Sequence, residues 1–566
     1  MNQKNNLVKN ASFLMVAAMI SKVIGLLYKS PLSSIVGNMG MGYISLAQNA
    51  YMILLTDCIL QHSAGSFQID LRTNCFKRLQ KCPEDFSWIS DLCGNRRWNR
   101  STGVFIWGKI YYSEQSAECS TGIADLITND FPFRNPGCIQ RIFQAYRNMM
   151  PTSISQILEQ IFNAAVSLIA AWMFIKYFAD GTDGSVAKWG AAGSTVGTTA
   201  GVVIALLFML LVYGVNRNAI KCRVRHDHYH DEESYGEILK LIILIVSPII
   251  LSSFIYNING YLNGVLYSEI MGKHGVNADM ISMMYAEYAT YFMSIINIPL
   301  TLSSAAPTSM IPEVSALYAT GDIDETRRRV DQTVQLSMFI SIPCAVGLAV
   351  LAQPIVLLLF GGTNGVAGKL LMLGSFTILL NGMSNISNGV LQGIGKPKIP
   401  MITAAVALVV DVIVVVALLM FTDLGIYALL VAMIVYAIVV CVMNDFFMKK
   451  YLEYKNPWKA AYVSPLIASA VMGVVAAGVY YGFHAILPSN IICLGVSIIL
   501  AAAAYFLVYI LLIRQHPSGF PECLAGHILF ESHRESEDKG KQVFQMIKYG
   551  KYRISVGYFN RYPFLL

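Results

Sequence analysis

Long apolar runs separated by short polar turns make up most of this chain. Crossing a hydrocarbon core takes about 20 apolar residues. By that measure the pattern predicts twelve spanning helices, near 11–28, 42–56, 154–177, 190–214, 238–258, 281–305, 334–360, 367–391, 400–421, 424–447, 460–484 and 489–513. The turns alternate in charge. Arg217 to Arg225, Arg327 to Arg329, Lys396 with Lys398, Lys449 to Lys459, and Arg514 are basic. Asp180 to Asp183, Gly361 to Gly365, Thr422 with Asp423, and Pro488 to Asn490 carry little or no positive charge. Positive charge is retained on the cytoplasmic side, so the alternation predicts both termini in the cytoplasm. Lys4 and Lys9 precede an apolar run from Ala11 to Tyr28 that lacks a small-x-small cleavage site. It is read as an uncleaved first helix, closed by Lys29-Ser30-Pro31.

One stretch breaks the pattern. From Cys58 to about Arg141 no charge-free run is long enough to span a bilayer, and six of the eleven cysteines and three of the six tryptophans fall there. An internal comparison gives this stretch a meaning. Gln144-Ala-Tyr-Arg-Asn-Met-Met-Pro151 and Gln392-Gly-Ile-Gly-Lys-Pro-Lys-Ile-Pro400 are similar polar turns between apolar spans, 248 residues apart. Before Gln392 lie two spans and a basic amphipathic stretch; the equal length before Gln144 holds only the polar segment. Spacing kept while hydrophobicity is lost is what a stretch read out of frame would give, and the tail 514–566 carries the same signature. A true polar insertion is the alternative, although long structureless loops are uncommon. The expected units are thus 1–57, the first two spans; 58–141, the anomalous segment; 142–215, the rest of the first half; 216–237, a basic, histidine-bearing cytoplasmic loop; 238–447, the second half; 448–513, two last spans; and the tail.

Composition fits a bilayer as solvent: 55% of the 566 residues are hydrophobic and 13% charged. The net charge of +7 sits at the ends of apolar spans, which makes it topology information and excludes a nucleic-acid footprint. The cysteines show neither zinc spacing nor a disulfide framework, so no metal and no cofactor are expected. His226, His228 and His230 alternate in a charged loop and are read as solvated. No nucleophile elbow, P-loop or HExxH occurs, which argues against an enzyme or an ATP-driven pump.

Several motifs together resemble a family. They are Ser21-Lys-Val-Ile-Gly-Leu-Leu-Tyr-Lys-Ser-Pro31, Gly37-Asn-Met-Gly-Met-Gly-Tyr43, Gln144 to Gln160, Pro312-Glu-Val-Ser-Ala316 and Leu391-Gln-Gly-Ile-Gly-Lys-Pro397. They resemble the polysaccharide-biosynthesis branch of the multidrug/oligosaccharidyl-lipid/polysaccharide exporter superfamily, in particular the group of stage V sporulation protein B and the MurJ-type lipid II flippases. The likeness covers about 1–57 and 142–513. It implies an all-α polytopic membrane protein of the bacterial cell membrane, with two pseudo-symmetric six-helix lobes around a cavity and two extra C-terminal helices. About twelve spans are visible where fourteen are expected. It further implies alternating access and transport of an undecaprenyl-pyrophosphate-linked sugar by a monomer. Basic residues of the first helix serve such flippases, and Lys22 and Lys29 match them. Some relatives carry an Arg-Asp pair where this chain has Tyr28-Lys29.

The chemistry supports that implication. An anionic pyrophosphate needs a water-filled cationic groove, and charges inside spans tend to face such a cavity. Lys22 and Lys29 are two turns apart on one helix face; interfacial snorkelling is the other reading for Lys29. Asn257, Asn259 and Asn263, with Tyr256 and Tyr261, suit sugar hydroxyls or interhelical bonds; Asn257 and Asn263 are taken as cavity residues. Glu159, Glu287 and Asp411 are candidates for a coupling proton or sodium ion, with a helix-start role as the alternative for Glu159. Asn381, Asn385 and Asn388 share one face and are read as packing groups. The competing functions are a cation-coupled multidrug exporter, a flippase for teichoic or capsular units, and a membrane-embedded glycosyl- or acyltransferase. The lysines on the first helix favour an anionic lipid head.

Overall fold

The computed structural model describes residues 16–56, 150–225, 235–361, 365–486 and 489–515. The anomalous segment 58–141, the three loop histidines and the tail beyond 515 lie outside the described residues. The first lobe contains α1 (Val16–Leu27), α2 (Lys29–Thr56), α3 (Met150–Phe178) and α4 (Asp183–Arg225). The second contains α5 (Tyr235–Lys273), α6 (Ala278–Ala286), a π-helical turn (Glu287–Phe292), α7 (Met293–Ala319), α8 (Ile323–Val350), α9 (Ala352–Phe360), α10 (Val366–Gly374), α11 (Thr377–Gly393), α12 (Lys398–Phe421) and α13 (Tyr427–Leu452). A second π turn (Lys459–Val463) leads into α14 (Ser464–Ile486) and α15 (Asn490–Gln515).

Every predicted span falls at least in part on a helix, and the described residues contain no strand. Seven of the described helices are long and apolar enough to cross a membrane, and α10 with α11, bent by 48°, makes an eighth. Their outer faces carry large apolar side chains, among them Leu211, Val474, Ile499 and Phe421, the last 84% exposed. Such surfaces are stable only against lipid.

The first helix ends at Leu27, and α2 begins at Lys29 after the single residue Tyr28. The helical register is carried across Tyr28, whose N–H donates to Ile24 O and whose carbonyl accepts from Leu32 N–H, both at 3.1 Å. Pro31 lies in the first turn of α2, where an N–H has no helical partner to lose. A second break comes at Gly37, which adopts φ 74°, ψ 169°, a conformation open to glycine alone among ordinary residues. At α8 the Asp322 side chain accepts from Glu325 N–H at 3.1 Å and caps the helix.

Packing relies on small residues, as expected where lipid supplies no hydrophobic drive between helices. α3 lies so close on α4 that a Cβ on Gly197 would sit 2.0 Å from Ser167 Oγ. In the second lobe α12 packs on α5 and α13, and α11 on α7 and α13. α14 and α15 pack as a pair, and α14 joins them to α8, through a core containing Leu351, Ala468, Met472, Tyr480 and Tyr505. The lobes meet where α2 lies along α5, α6 and the π turn.

Candidate functional site

Continuity through Tyr28 keeps Lys22 and Lys29 on a common face. Lys29 Nζ donates to Ser294 Oγ on α7 at 2.9 Å, so its ammonium crosses from the first lobe to the second. Lys22 is exposed. The charge acting on Lys22 is the carboxylate of Glu159 on α3; the charge acting on Lys29 is Lys22 itself. Neither lysine forms an ion pair within 4 Å among the described residues. Uncompensated polar groups accompany them, since Ser21 Oγ and Gln156 Oε1 are buried without a hydrogen-bond partner. Tyr28 turns toward Asn163 and Gln48.

Just beyond Lys29 the two lobes close on each other. Ser282 Oγ donates to Met39 O at 2.9 Å, Tyr291 Oη to Asn38 Oδ1 at 2.5 Å, and Asn49 Nδ2 to Tyr285 Oη at 2.8 Å. Ser45 Oγ bonds Thr290 Oγ1, which also donates to Met41 O at 3.2 Å. A Cβ on Gly42 would meet Ser282 O at 2.3 Å, so the contact exists only because position 42 has no side chain. These partners were not foreseen. The available signal was the row of Asn, Gly and Ser residues between Gly37 and Asn49, too polar for lipid and too short for a loop.

A second cluster surrounds Asp411 of α12. Its residue surface is 0% exposed, and its carboxylate faces Asn259 and Asn263 of α5. Neither carboxylate oxygen has a hydrogen bond of ordinary geometry, and Asn259 Oδ1 and Asn263 Oδ1 are also buried without a donor. Tyr288 and Tyr436 lie within its electrostatic reach. A carboxylate buried between helices in this way marks a functional candidate.

The remaining candidates separate. Glu287 is fully buried, and its Oε2 accepts the Ala367 N–H at 2.9 Å in the first turn of α10, the position where a carboxylate complements a helix N-terminus. Glu159 is not a helix-start acid, since no acidic residue lies in the first turn of α3. Asn257 Nδ2 donates to Ser253 O of its own helix at 2.9 Å, and Tyr256 is exposed, its ring edge toward Tyr436. Asn381 bonds Thr377 O, while Asn388 Oδ1 accepts from Asn444 Nδ2 of α13 at 2.8 Å, a bond between helices. Among the described residues no cluster of three His, Cys, Asp or Glu side chains has a metal-binding arrangement.

Comparison with known proteins places this geometry. The family described as lipid II flippase MurJ matches residues 138–496. The lipid II flippase MurJ of Bacillus subtilis (strain 168) is 20% identical over 542 residues, covering 89% of this chain and 94% of the relative. Stage V sporulation protein B of the same organism is 21% identical over 344 residues, covering 59% and 64%. Among solved structures, a lipid II flippase MurJ in an inward closed conformation superposes with a TM-score of 0.56 at 14% identity, covering 89% of this chain and 99% of that one. An inward-facing multidrug resistance MATE transporter of the MOP superfamily gives 0.53 at 15% identity, covering 78% and 94%. The structural likenesses establish the fold, and the family match extends over more than half the sequence. The chain belongs to the lipid II flippase MurJ family, multi-pass membrane transport proteins and not enzymes.

Proposed function

We propose that the chain carries an undecaprenyl-pyrophosphate-linked cell-wall precursor of the lipid II kind, or a polysaccharide unit on the same carrier, across the bacterial cytoplasmic membrane by alternating access. Lys29 is the observation that supports this most. A half-buried ammonium held by one neutral hydroxyl, Ser294 Oγ at 2.9 Å, is stabilised further by an anion brought beside it. A pyrophosphate bridging Lys29 and Lys22 supplies that charge. The contact between α2 and α6 holds the two lobes together; by the loop-charge pattern that side faces outside and both termini lie in the cytoplasm. Asp411, Asn259 and Asn263 form the coupling site for a proton or a sodium ion; Asn263 is thereby assigned to the cation and not to sugar. Glu287, as a helix cap, is removed from the coupling set. The chain works as a monomer.

The segment 58–141 stands in place of two first-lobe helices. The family match starts only at residue 138, whereas alignment to the Bacillus relative spans 89% of the chain. Length is kept there while the family's pattern is missing, as a frame-shifted stretch would produce.

The test is growth of cells depleted of their own lipid II flippase, with the frame-restored chain as rescuer. Lys29→Arg is expected to retain partial rescue, Lys29→Ala to lose most of it, and Lys29→Glu to abolish it, since a reversed charge repels the phosphate. Full rescue by Lys29→Glu at a normal protein level would remove the basis for an anionic substrate. It would also favour the multidrug-exporter reading, in which Asp411 would hold a cationic drug.

A further inference from the structure

A second group of cations lies where the second lobe hands over to the last two helices, and it has no part in the cleft. Lys396 sits in the turn between α11 and α12, Lys398 at the start of α12, Lys450 near the end of α13 and Lys455 in the linker to α14; all four are exposed. Neighbouring charges are already matched: Lys449 Nζ pairs with Asp445 at 2.6 Å and Glu453 with Arg327 at 3.2 Å. Among the described residues none of the four exposed lysines forms an ion pair. Two of them, from different elements, converge on one ring, with Lys396 Nζ 5.4 Å and Lys450 Nζ 5.8 Å from the centroid of Tyr451. That distance is within cation–π range. The ring is held by stacking on Phe447, 6.4 Å away at an interplanar angle of 14°.

Two ammoniums brought to one ring repel each other, and an anion between them relieves that repulsion. Two aromatic residues of the same stretch of chain are exposed, Phe446 at 62% and Trp458 at 63%, and aromatic residues of this kind mark the headgroup level of a bilayer. A cationic clamp bordered by exposed rings has the amphipathic profile of a phospholipid, with phosphate oxygens for the lysines and acyl chains for the rings. A freely dissolved phosphate would leave the rings without a partner. We propose that Lys396 and Lys450, disposed about Tyr451, bind the phosphodiester of an anionic phospholipid of the adjoining leaflet, with Phe446 and Trp458 against its chains. The bound lipid fastens the turn between α11 and α12 to the end of α13. This site stands apart from the transport reading, because it depends neither on the cleft lysines nor on the substrate.

The experiment titrates the full-length chain, purified in a neutral detergent, with dioleoylphosphatidylglycerol, dioleoylphosphatidylcholine or inorganic phosphate, and follows the midpoint of thermal unfolding. The expected result is a saturable rise with phosphatidylglycerol that phosphatidylcholine does not produce. Half-saturation should shift upward about fivefold for each of Lys396→Gln and Lys450→Gln, the loss expected per lysine at an anionic surface. Lys396→Arg keeps the charge and must keep the response, which separates binding from folding defects, and Lys188→Gln on α4 serves as a remote control. Equal responses to the two lipids, or an unshifted half-saturation in the doubly substituted chain, would overturn the site. Inorganic phosphate acting as well as the lipid would overturn its assignment to the bilayer. None of these outcomes touches the Lys29 rescue test.

Discussion

Substituting Gly42 with alanine puts one methyl group into the contact that closes the lobes. Its Cβ would lie 2.3 Å from both Ser282 O and Ser282 Oγ and 2.9 Å from Ser282 C. Two of these three atoms are backbone, so no rotamer relieves the clash. The helices must part by about 1 Å, the difference between 2.3 Å and an ordinary contact of 3.4 Å. Overpacking of this kind costs about 1–3 kcal/mol. The same separation stretches the bonds from Ser282 to Met39 and from Asn49 to Tyr285, a strain already counted in that cost. The cost falls only on the state in which α2 and α6 touch. At about 1.4 kcal/mol per factor of ten, the equilibrium moves roughly 5- to 150-fold toward the form open on that side. The assay is labelling of Ser45→Cys by a membrane-impermeant maleimide added outside intact cells, in a background freed of other reactive cysteines. Gly42→Ala should accelerate labelling within that range. An unchanged rate at normal protein level would refute the gate, and labelling only from the cytoplasmic side would refute its placement outside.

Two further outcomes follow from other sites. Glu287→Gln exchanges a charge-assisted bond to Ala367 N–H for a neutral one and should lower stability by about 1–2 kcal/mol, read as a drop in the thermal unfolding midpoint; intact stability with altered cation dependence would restore Glu287 to the coupling set. The coding sequence over codons 58–141, translated in its other two frames, should contain two apolar spans and a basic amphipathic stretch like the one around Arg327 to Arg329. A sequence without such an alternative would make the segment a true insertion.

Much of the fold was legible because lipid imposes a simple demand: every spanning backbone must satisfy its own hydrogen bonds within about 20 apolar residues. The start of the chain shows the reach and the limit of that rule. Lys29-Ser30-Pro31 has the composition of a helix boundary, and α2 does begin at Lys29, with Pro31 in its first turn where no bond is lost. The second break, Gly37 at φ 74°, lies inside α2, where no proline or charge announces it. Glu287 is open to two readings for a related reason. A carboxylate in an apolar run signals either function or a trans-acting cap, and the partner N–H, Ala367, is 80 residues away. Sequence spacing cannot distinguish the two.

The closing contact was hidden by the same physics that creates it. Helices in a bilayer gain nothing from hiding apolar surface from one another, so they associate through small side chains, close backbone approach and polar bonds. The residues that do this lower the hydropathy of the helices that carry them. Neither α2 nor α7 is among the seven described helices apolar enough to register as spans. Yet α2 carries Asn38, Ser45 and Asn49, and α7 carries Ser294. Their partners lie 236 to 265 positions apart in the chain, a separation set by the distance between the lobes and invisible to any local window. A helix that scores poorly for lipid between neighbours that score well is therefore positive information. In this chain the polar interruptions of α2 and α7 mark the face along which one lobe meets the other, and the same face holds the ammonium of Lys29.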